Sequence, residues 1–382
     1  MNKTLRILII VTVLFSQSGK SQTAFHNFGN VQIHDQGQIG FHMDLENDGT
    51  FNENLGLAGF YNEDNPLTIS GTEIPRFYDM DVAVDNNLFL EISTEVSNGL
   101  NYIIGDVITP RNNPNISLDY LSNAFFVFED DLRLTDGYAS FTGNDTFRFP
   151  IGDDNKLRPL QTPLQSGNPK FSAAYFNEDP NFPSTFATSF DTNNSEGIIN
   201  TINLEEFWDF NGTEETQVTL TWNSDSDIDV LVDDLLNLRV VGWSISENQW
   251  KDLGNVDFTG NVNTGTVTST SFVPNDYEII TFGSLIGSDG IIVYNGISPN
   301  GDGKNDVFII EGVELFRNTL KIFNRWGRTV YDVENYKNDW NGITNKKVLV
   351  GNSKKLPVGT YFYVLNLPEE NKEYAGWLYI NY

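Results

Sequence analysis

Apolar and polar residues alternate with a period of two in short runs along the first part of the chain: VQIH (31–34), QIGFHMDL (38–45), DMDVAV (79–84), LFLEIS (88–93), AFFVFED (124–130) and FRFPIG (147–152). That period sets one side of an extended backbone against a core and the other in water, so each run predicts a half-buried strand. The spacing between runs is irregular, which leaves two layouts open, a β-solenoid or a β-sandwich. After a proline-rich stretch (Pro159, Pro163, Pro169, Pro180, Pro183) a second group follows: VTLTW (218–222), LRVVGWSI (238–245), GTVTSTSF (265–272) and YEIITFG (277–283). These predict one further β-sandwich of about 100–120 residues. No segment sustains a 3.6-residue period, although NLEEFWDF (203–210) has the look of a single helical turn. The expected class is all-β. Its 46 asparagines and 32 glycines fit that class, since both residue types take the positive φ that tight turns require.

Charge divides the chain more sharply than hydropathy. Residues 1–289 carry 12 basic and 42 acidic side chains, whereas 290–382 carry 11 and 10. The segment GSLIGSDG (283–290) is small, polar and glycine-rich, as a joint would be. The expected organisation is therefore residues 1–21 as a leader, 22–160 as an amino-terminal passenger, 161–286 as the second sandwich and 290–382 as a nearly neutral terminal module. A net charge of −29 disfavours nucleic acid and anionic lipid as partners. At the amino terminus, Lys3 and Arg6 precede the apolar run from Ile7 to Phe15 and then Gly19-Lys20-Ser21-Gln22, the plan of a secretory signal peptide cut after Ser21. That run is far shorter than the roughly 20 residues of a membrane span, and no later stretch reaches that length. Cysteine is absent, which removes disulfides, thiolate metal sites and a lipoprotein anchor.

The terminal module reads as strands and turns. Leu320, Ile322 and Trp326 alternate with polar neighbours, Asn324-Arg325 and Gly327-Arg328 bracket Trp326 in a tight bend, and Pro357-Val358-Gly359 turns into the run that begins at Thr360. Six or seven strands in so short a module match the size of an immunoglobulin-like sandwich. An outer-membrane barrel is disfavoured, because the chain lacks enough uniform strands of about 9–11 residues.

The ordered set SPNGDGKND, IFNRWG, VY, NDWNG, LPVGTYFY and GWLYIN resembles the type B sorting domain of the type IX secretion system, also called the gliding motility-associated carboxyl-terminal domain of Bacteroidota. The residues carrying the resemblance are Pro299, Asn300, Gly301, Asp302, Gly303, Asn305 and Asp306; Phe323, Asn324, Arg325, Trp326 and Gly327; Trp340 and Gly342; Pro357, Gly359 and Tyr361; and Gly376 and Trp377. A lysine-bearing insertion, Lys346 to Lys355, departs from the pattern. The resemblance implies an export signal recognised by an outer-membrane translocon and its cargo-receiving shuttle protein, delivery to the cell surface, and association with gliding or other surface components.

Candidate chemistry is sparse. Asn300, Asp302 and Asp306 are spaced as oxygen-rich loops around Ca²⁺ are, yet Asn-Gly-Asp-Gly is also a good hairpin turn with no metal. Asp225, Asp227 and Asp229 would share one face of a strand, either solvated or bridged by a cation. His26, His34 and His42 recur every eight residues, a spacing that could align them for a metal but also fits ordinary surface histidines. No nucleophile elbow, H-E-x-x-H or phosphate loop is present. Trp208, Trp222, Trp243 and Trp250 either fill a core or stack on sugar rings. The expected function is a secreted, non-enzymatic surface protein, adhesin-like or attached to the gliding and secretion apparatus. The alternative is an exported polysaccharide-binding or polysaccharide-degrading protein.

Overall fold

The computed structural model describes residues 24–285, 291–347 and 354–382. The expected signal peptide (1–21), most of the expected joint (286–290) and the middle of the lysine insertion (348–353) lie outside the described residues. Strand dominates throughout, and no described helix is long and apolar enough to cross a membrane. The chain divides into two compact units. One runs up to Leu157 and takes in Leu164–Ala174; the other comprises Arg158–Pro163 and Tyr175–Tyr382.

The first unit is a β-solenoid over residues 24–142. Two parallel ladders build it. Ala24–Asn27, Asp44–Asn47, Leu67–Gly71, Leu88–Leu90, Val107–Ile108 and Thr135–Asp136 form one; Gln38–Phe41, Leu57–Asn62, Arg76–Val84, Thr94–Ile104, Leu118–Leu121 and Ala139–Thr142 form the other. The chain passes from one ladder to the other and back, so each coil lies in parallel register on the one before, with stacked partners such as Arg76 and Glu95 19 residues apart and Asn27 and Asn47 20 apart. In-register stacking puts like side chains over like. Phe41 and Phe60 are register partners and stack with ring centroids 5.0 Å apart, while Phe77, out of register with them, meets Phe60 edge-on inside at 5.7 Å. At the corners, buried asparagines satisfy backbone that no strand can reach: Asn27 Nδ2 donates to Asn47 Oδ1 (2.8 Å), whose own Nδ2 donates to the Glu73 carbonyl (2.6 Å).

VQIH does not form the expected strand. Val31 N–H donates to the Thr50 carbonyl and Ile33 N–H to Asn54 Oδ1, so the donors are used by the next coil's corner, and the segment runs as a loop with Ile33 buried.

In the second unit, Phe207–Asn211, Tyr277–Leu285, Leu238–Ser244 and Gln249–Asp252 make one sheet, with Ile199–Ile202 also paired to Tyr277–Leu285; Leu160–Thr162, Thr219–Trp222, Thr264–Thr268 and Asp257–Asn261 make another. Trp208 and Trp222, one from each sheet, both stand edge-on to Phe282. Below them Arg158 and Glu206 form a buried ion pair (Nε to Oε2, 3.0 Å), and the same carboxylate oxygen accepts from Tyr175 (2.6 Å). The helical turn expected in NLEEFWDF is instead a loop followed by a strand. Asn203 Oδ1 accepts the N–H groups of Glu205 and Glu206, and the chain then extends from Phe207. The strand expected to align Asp225, Asp227 and Asp229 is likewise replaced by a 3₁₀ turn, Ser224–Ser226, and a single α-turn, Ile228–Leu231. Asn223 caps the first, Asp227 adopts left-handed backbone between them, and all three aspartates face water.

Residues 291–382 possess their own sheets and core. Gly296–Ile297, Lys372–Ile380, Gly359–Leu367, Thr319–Phe323 and Thr329–Glu334 form a five-stranded sheet in that spatial order, and Ile292–Val293 pairs with Ile310–Glu311. Phe308, Ile310, Leu320, Ile322, Trp340, Leu365, Leu378 and Ile380 pack together in the module's core.

Candidate functional site

The signature residues of the terminal module fall into two sets. The first set builds the fold. Asp306 organises the loop before it: its Oδ1 accepts the N–H groups of Asn300 (3.0 Å) and Gly301 (2.8 Å), and its Oδ2 that of Gly303 (2.9 Å). These three bonds hold its carboxyl below the usual aspartate range, the Gly301 bond foremost. Asn300 Oδ1 accepts from Asp302 N–H and Asp302 Oδ1 from Lys304 N–H, while Gly301, Gly303 and Asn305 supply the positive φ that so tight a coil needs. The loop thus closes on its own side chains, with Pro299 at its entry beside Gly342. Trp340 is buried and donates its indole N–H to the Ile343 carbonyl (2.8 Å). Gly376 lies opposite Tyr363, whose ring occupies the space where a Cβ would stand. Tyr361 is buried, its hydroxyl donating to the Pro357 carbonyl (2.9 Å) and so fixing the turn through Gly359.

The second set faces solvent. Thr319–Phe323 ends in a hairpin turn in which Asn324 Oδ1 accepts the N–H groups of Trp326 (3.1 Å) and Arg328 (3.0 Å), and Gly327 completes the turn at positive φ. The alternation that buries Leu320 and Ile322 stops there: Trp326 is 74 % exposed, with the Arg325 guanidinium 4.3 Å from its ring centre. The Pro357–Tyr361 turn comes alongside, so that Asn324, Arg325 and Trp326 share a hollow of about 120 Å³ with Pro357, Gly359 and Tyr361, residues more than thirty positions away in sequence. On the outer face of the same sheet, Phe323, Phe362 and Trp377 lie in one row across three adjacent strands, with Phe362 and Trp377 each about half exposed and Tyr379 exposed one row along. Sequence motifs pointed to Phe323, Trp326 and Trp377; Phe362 and Tyr379 were missed, although their alternation with buried Tyr361, Tyr363, Leu378 and Ile380 carried the signal.

The row leaves aromatic surface on Phe362 and Trp377 that the module itself does not cover. Basic side chains border it. Arg325 and Arg328 project from the hairpin turn, and Arg328 donates to the Lys347 carbonyl (3.1 Å) within the lysine-bearing segment.

Elsewhere, the expected sites dissolve or rearrange. Trp208 and Trp250 are fully buried and Trp222 nearly so, while Trp243 is half-buried and edge-on to Trp250, which leaves no flat pair of exposed rings. The three histidines do not align, because a coil is about twenty residues long and a spacing of eight places them at different corners. His26 instead faces Glu46 and Asp48 on the next coil.

Residues 291–380, about a quarter of the chain, match the family described as CHU_C Type IX secretion signal domain. No curated protein and no solved structure matches the chain. The terminal module is a signal for export through the type IX secretion system towards the cell surface or outer membrane, and it engages that system's machinery.

Proposed function

We propose that this chain, exported by its terminal signal domain, is a non-enzymatic surface protein, adhesin-like or held on the gliding and secretion apparatus, whose solenoid and sandwich bind rather than transform their ligand. The observation that carries the export half is the convergence of Arg325, Trp326 and the Pro357–Tyr361 turn beside the Phe323–Phe362–Trp377 row. Arg325, Trp326, Phe362 and Trp377 project from this surface and are left to meet the translocon and its shuttle protein, through aromatic contact at the centre and cationic contact at the rim. The binding half rests on the inward placement of Trp208, Trp222 and Trp250, which spends the sandwich's large rings on its core.

Removing residues 290–382 is expected to leave the passenger in the periplasm, and normal surface display of the truncated chain would refute the sorting role. Affinity capture of the tagged full-length protein from envelope membranes separates the two versions of the binding half: stable recovery with translocon subunits places it on the apparatus, and release to the medium makes it a free adhesin.

A second reading draws on one feature of the solenoid. A groove of about 400 Å³ runs across successive coils and is lined by His42, Tyr61, Glu63, Asp64 and Asp85. The Tyr61 hydroxyl donates to Asp81 (3.0 Å) and its ring is presented beside these polar groups, an arrangement suited to a polysaccharide. Retention of the full chain on a polysaccharide column, abolished by Tyr61→Ala, would favour this reading.

A further inference from the structure

The first described strand, Ala24–Asn27, ends its ladder: among the described residues it pairs on one side only, with Asp44–Asn47. Stacked coils need their end coils held in place, because the outermost has lost one of its two neighbours. At this end the chain gathers a donor set that the rest of the described solenoid lacks. His26 stands in register with Glu46, and Asp48 follows two residues on along the same coil. One donor atom from each of the three side chains lies within 4.8 Å of the other two. His26 Nε2 is 2.7 Å from Asp48 Oδ2, and Nδ1 is 3.5 Å from Glu46 Oε2.

Two further contacts hold these groups in position. The other Asp48 oxygen, Oδ1, accepts both the N–H (3.0 Å) and the hydroxyl (2.8 Å) of Thr72 on the third coil. Such an outer contact fixes a ligand carboxylate and leaves its second oxygen directed at the ion. The Phe28 ring covers one face of the imidazole at 3.4 Å between centres, sheltering His26 while Glu46 stays open to solvent.

We propose that His26, Glu46 and Asp48 form a zinc site that clamps the first coil of the solenoid to the second. One imidazole nitrogen and two carboxylate oxygens are a donor set that Zn²⁺ accepts at about 2.0–2.2 Å, with water completing the tetrahedron. A tetrahedron with such bonds has donor atoms a little over 3 Å apart; one donor atom from each residue already lies within 4.8 Å of the other two, so a modest side-chain rotation brings Glu46 and Asp48, now against Nδ1 and Nε2 respectively, onto the same imidazole nitrogen. The nitrogen donor selects against Ca²⁺, which takes oxygen alone. The ion takes the lone pair of one imidazole nitrogen in place of the present hydrogen bond to a carboxylate, and the neutral ring keeps its single proton on the other nitrogen, so no other chemistry is required.

The test is calorimetric titration of the purified, secreted full-length protein with ZnCl₂, in parallel with thermal melting with and without a chelator. With three histidines and no cysteine in the chain, the controls are clean. The expected result is one zinc per chain, unaffected by excess Ca²⁺, lost in His26→Ala and in the near-isosteric Asp48→Asn, weakened about tenfold in Thr72→Val, and unchanged in His34→Ala and His42→Ala. Absence of saturable binding, or binding that survives both His26→Ala and Asp48→Asn, would overturn the proposal.

Discussion

Tryptophan takes opposite positions in two parts of the chain. In the sandwich of the second unit, Trp208, Trp222 and Trp250 lie inside, and each indole N–H is matched to a backbone carbonyl, of Arg158, Asn261 and Phe190 respectively. In the terminal module only Trp340 is used that way, while Trp326 and Trp377 point into solvent. A buried indole with its donor satisfied stabilises the fold; an exposed one adds nothing to it and becomes useful only when a partner excludes water from it. The same residue type therefore reports packing in one region and recognition in the other, and its environment decides which.

The contrast can be broken most forcefully at Trp208. Trp208→Ala is expected to lower unfolding stability by about 3–5 kcal/mol, the usual cost of emptying so large a buried site. Denaturant unfolding measures it, and a change below about 1 kcal/mol would mean the sandwich core is not organised around this ring. Trp326→Ala combined with Trp377→Ala should shift stability by no more than about 0.5 kcal/mol per site. If these rings are interface anchors worth about 2 kcal/mol each, capture of the translocon should fall by about thirtyfold for each ring removed. Unimpaired export of that double variant would remove the aromatic row from the recognition surface.

Two carboxyl groups sharpen the comparison at lower energy. Burial in the solenoid pushes Asp106 up to about 6, against the opposing hydrogen bond from Leu134 N–H. The folded chain holds this proton more tightly than the unfolded one, so the stability the group lends is complete below about pH 4 and is lost as pH rises through 6. Asp306 runs the other way. Its backbone hydrogen bonds lower its pKa, so its contribution is present above the unfolded value and is lost as pH falls through the folded one. Carbon-detected titration of the two side chains should give midpoints on opposite sides of the ordinary aspartate value, and coincident midpoints would contradict both environments. The smallest effect concerns the loop itself. Because Asp306, Asn300 and Asp302 already satisfy one another and the backbone, calcium chelation is expected to leave the melting temperature unchanged. A fall of several degrees would instead put Ca²⁺ on Asn300, Asp302 and Asp306.

Much of this was legible in the residues themselves. Alternation marked QIGF, DMDVAV and LFL as strands, because a period of two is a local property that survives whatever the strand pairs with. The terminal signature was legible for a related reason: its glycines, Asn324 and Asp306 encode turns through short-range bonds. Illegible were the features that depend on a neighbour far along the chain. Asn54 converts VQIH from strand to corner from twenty-one residues away, and the imidazole of His26 finds its carboxylates one full coil later.

The sequence by itself determined an all-β chain, a charge break ahead of the terminal module and an address written in that module's turns, since each follows from composition or from contacts within a few residues. Only the tertiary structure decided that the amino-terminal strands coil as a solenoid, that Glu206 is buried against Arg158, and that Trp326 and Trp377 face outward. Pairing partners, burial and exposure are set by which distant segments come together, and alternating strands of irregular spacing are compatible with more than one such arrangement.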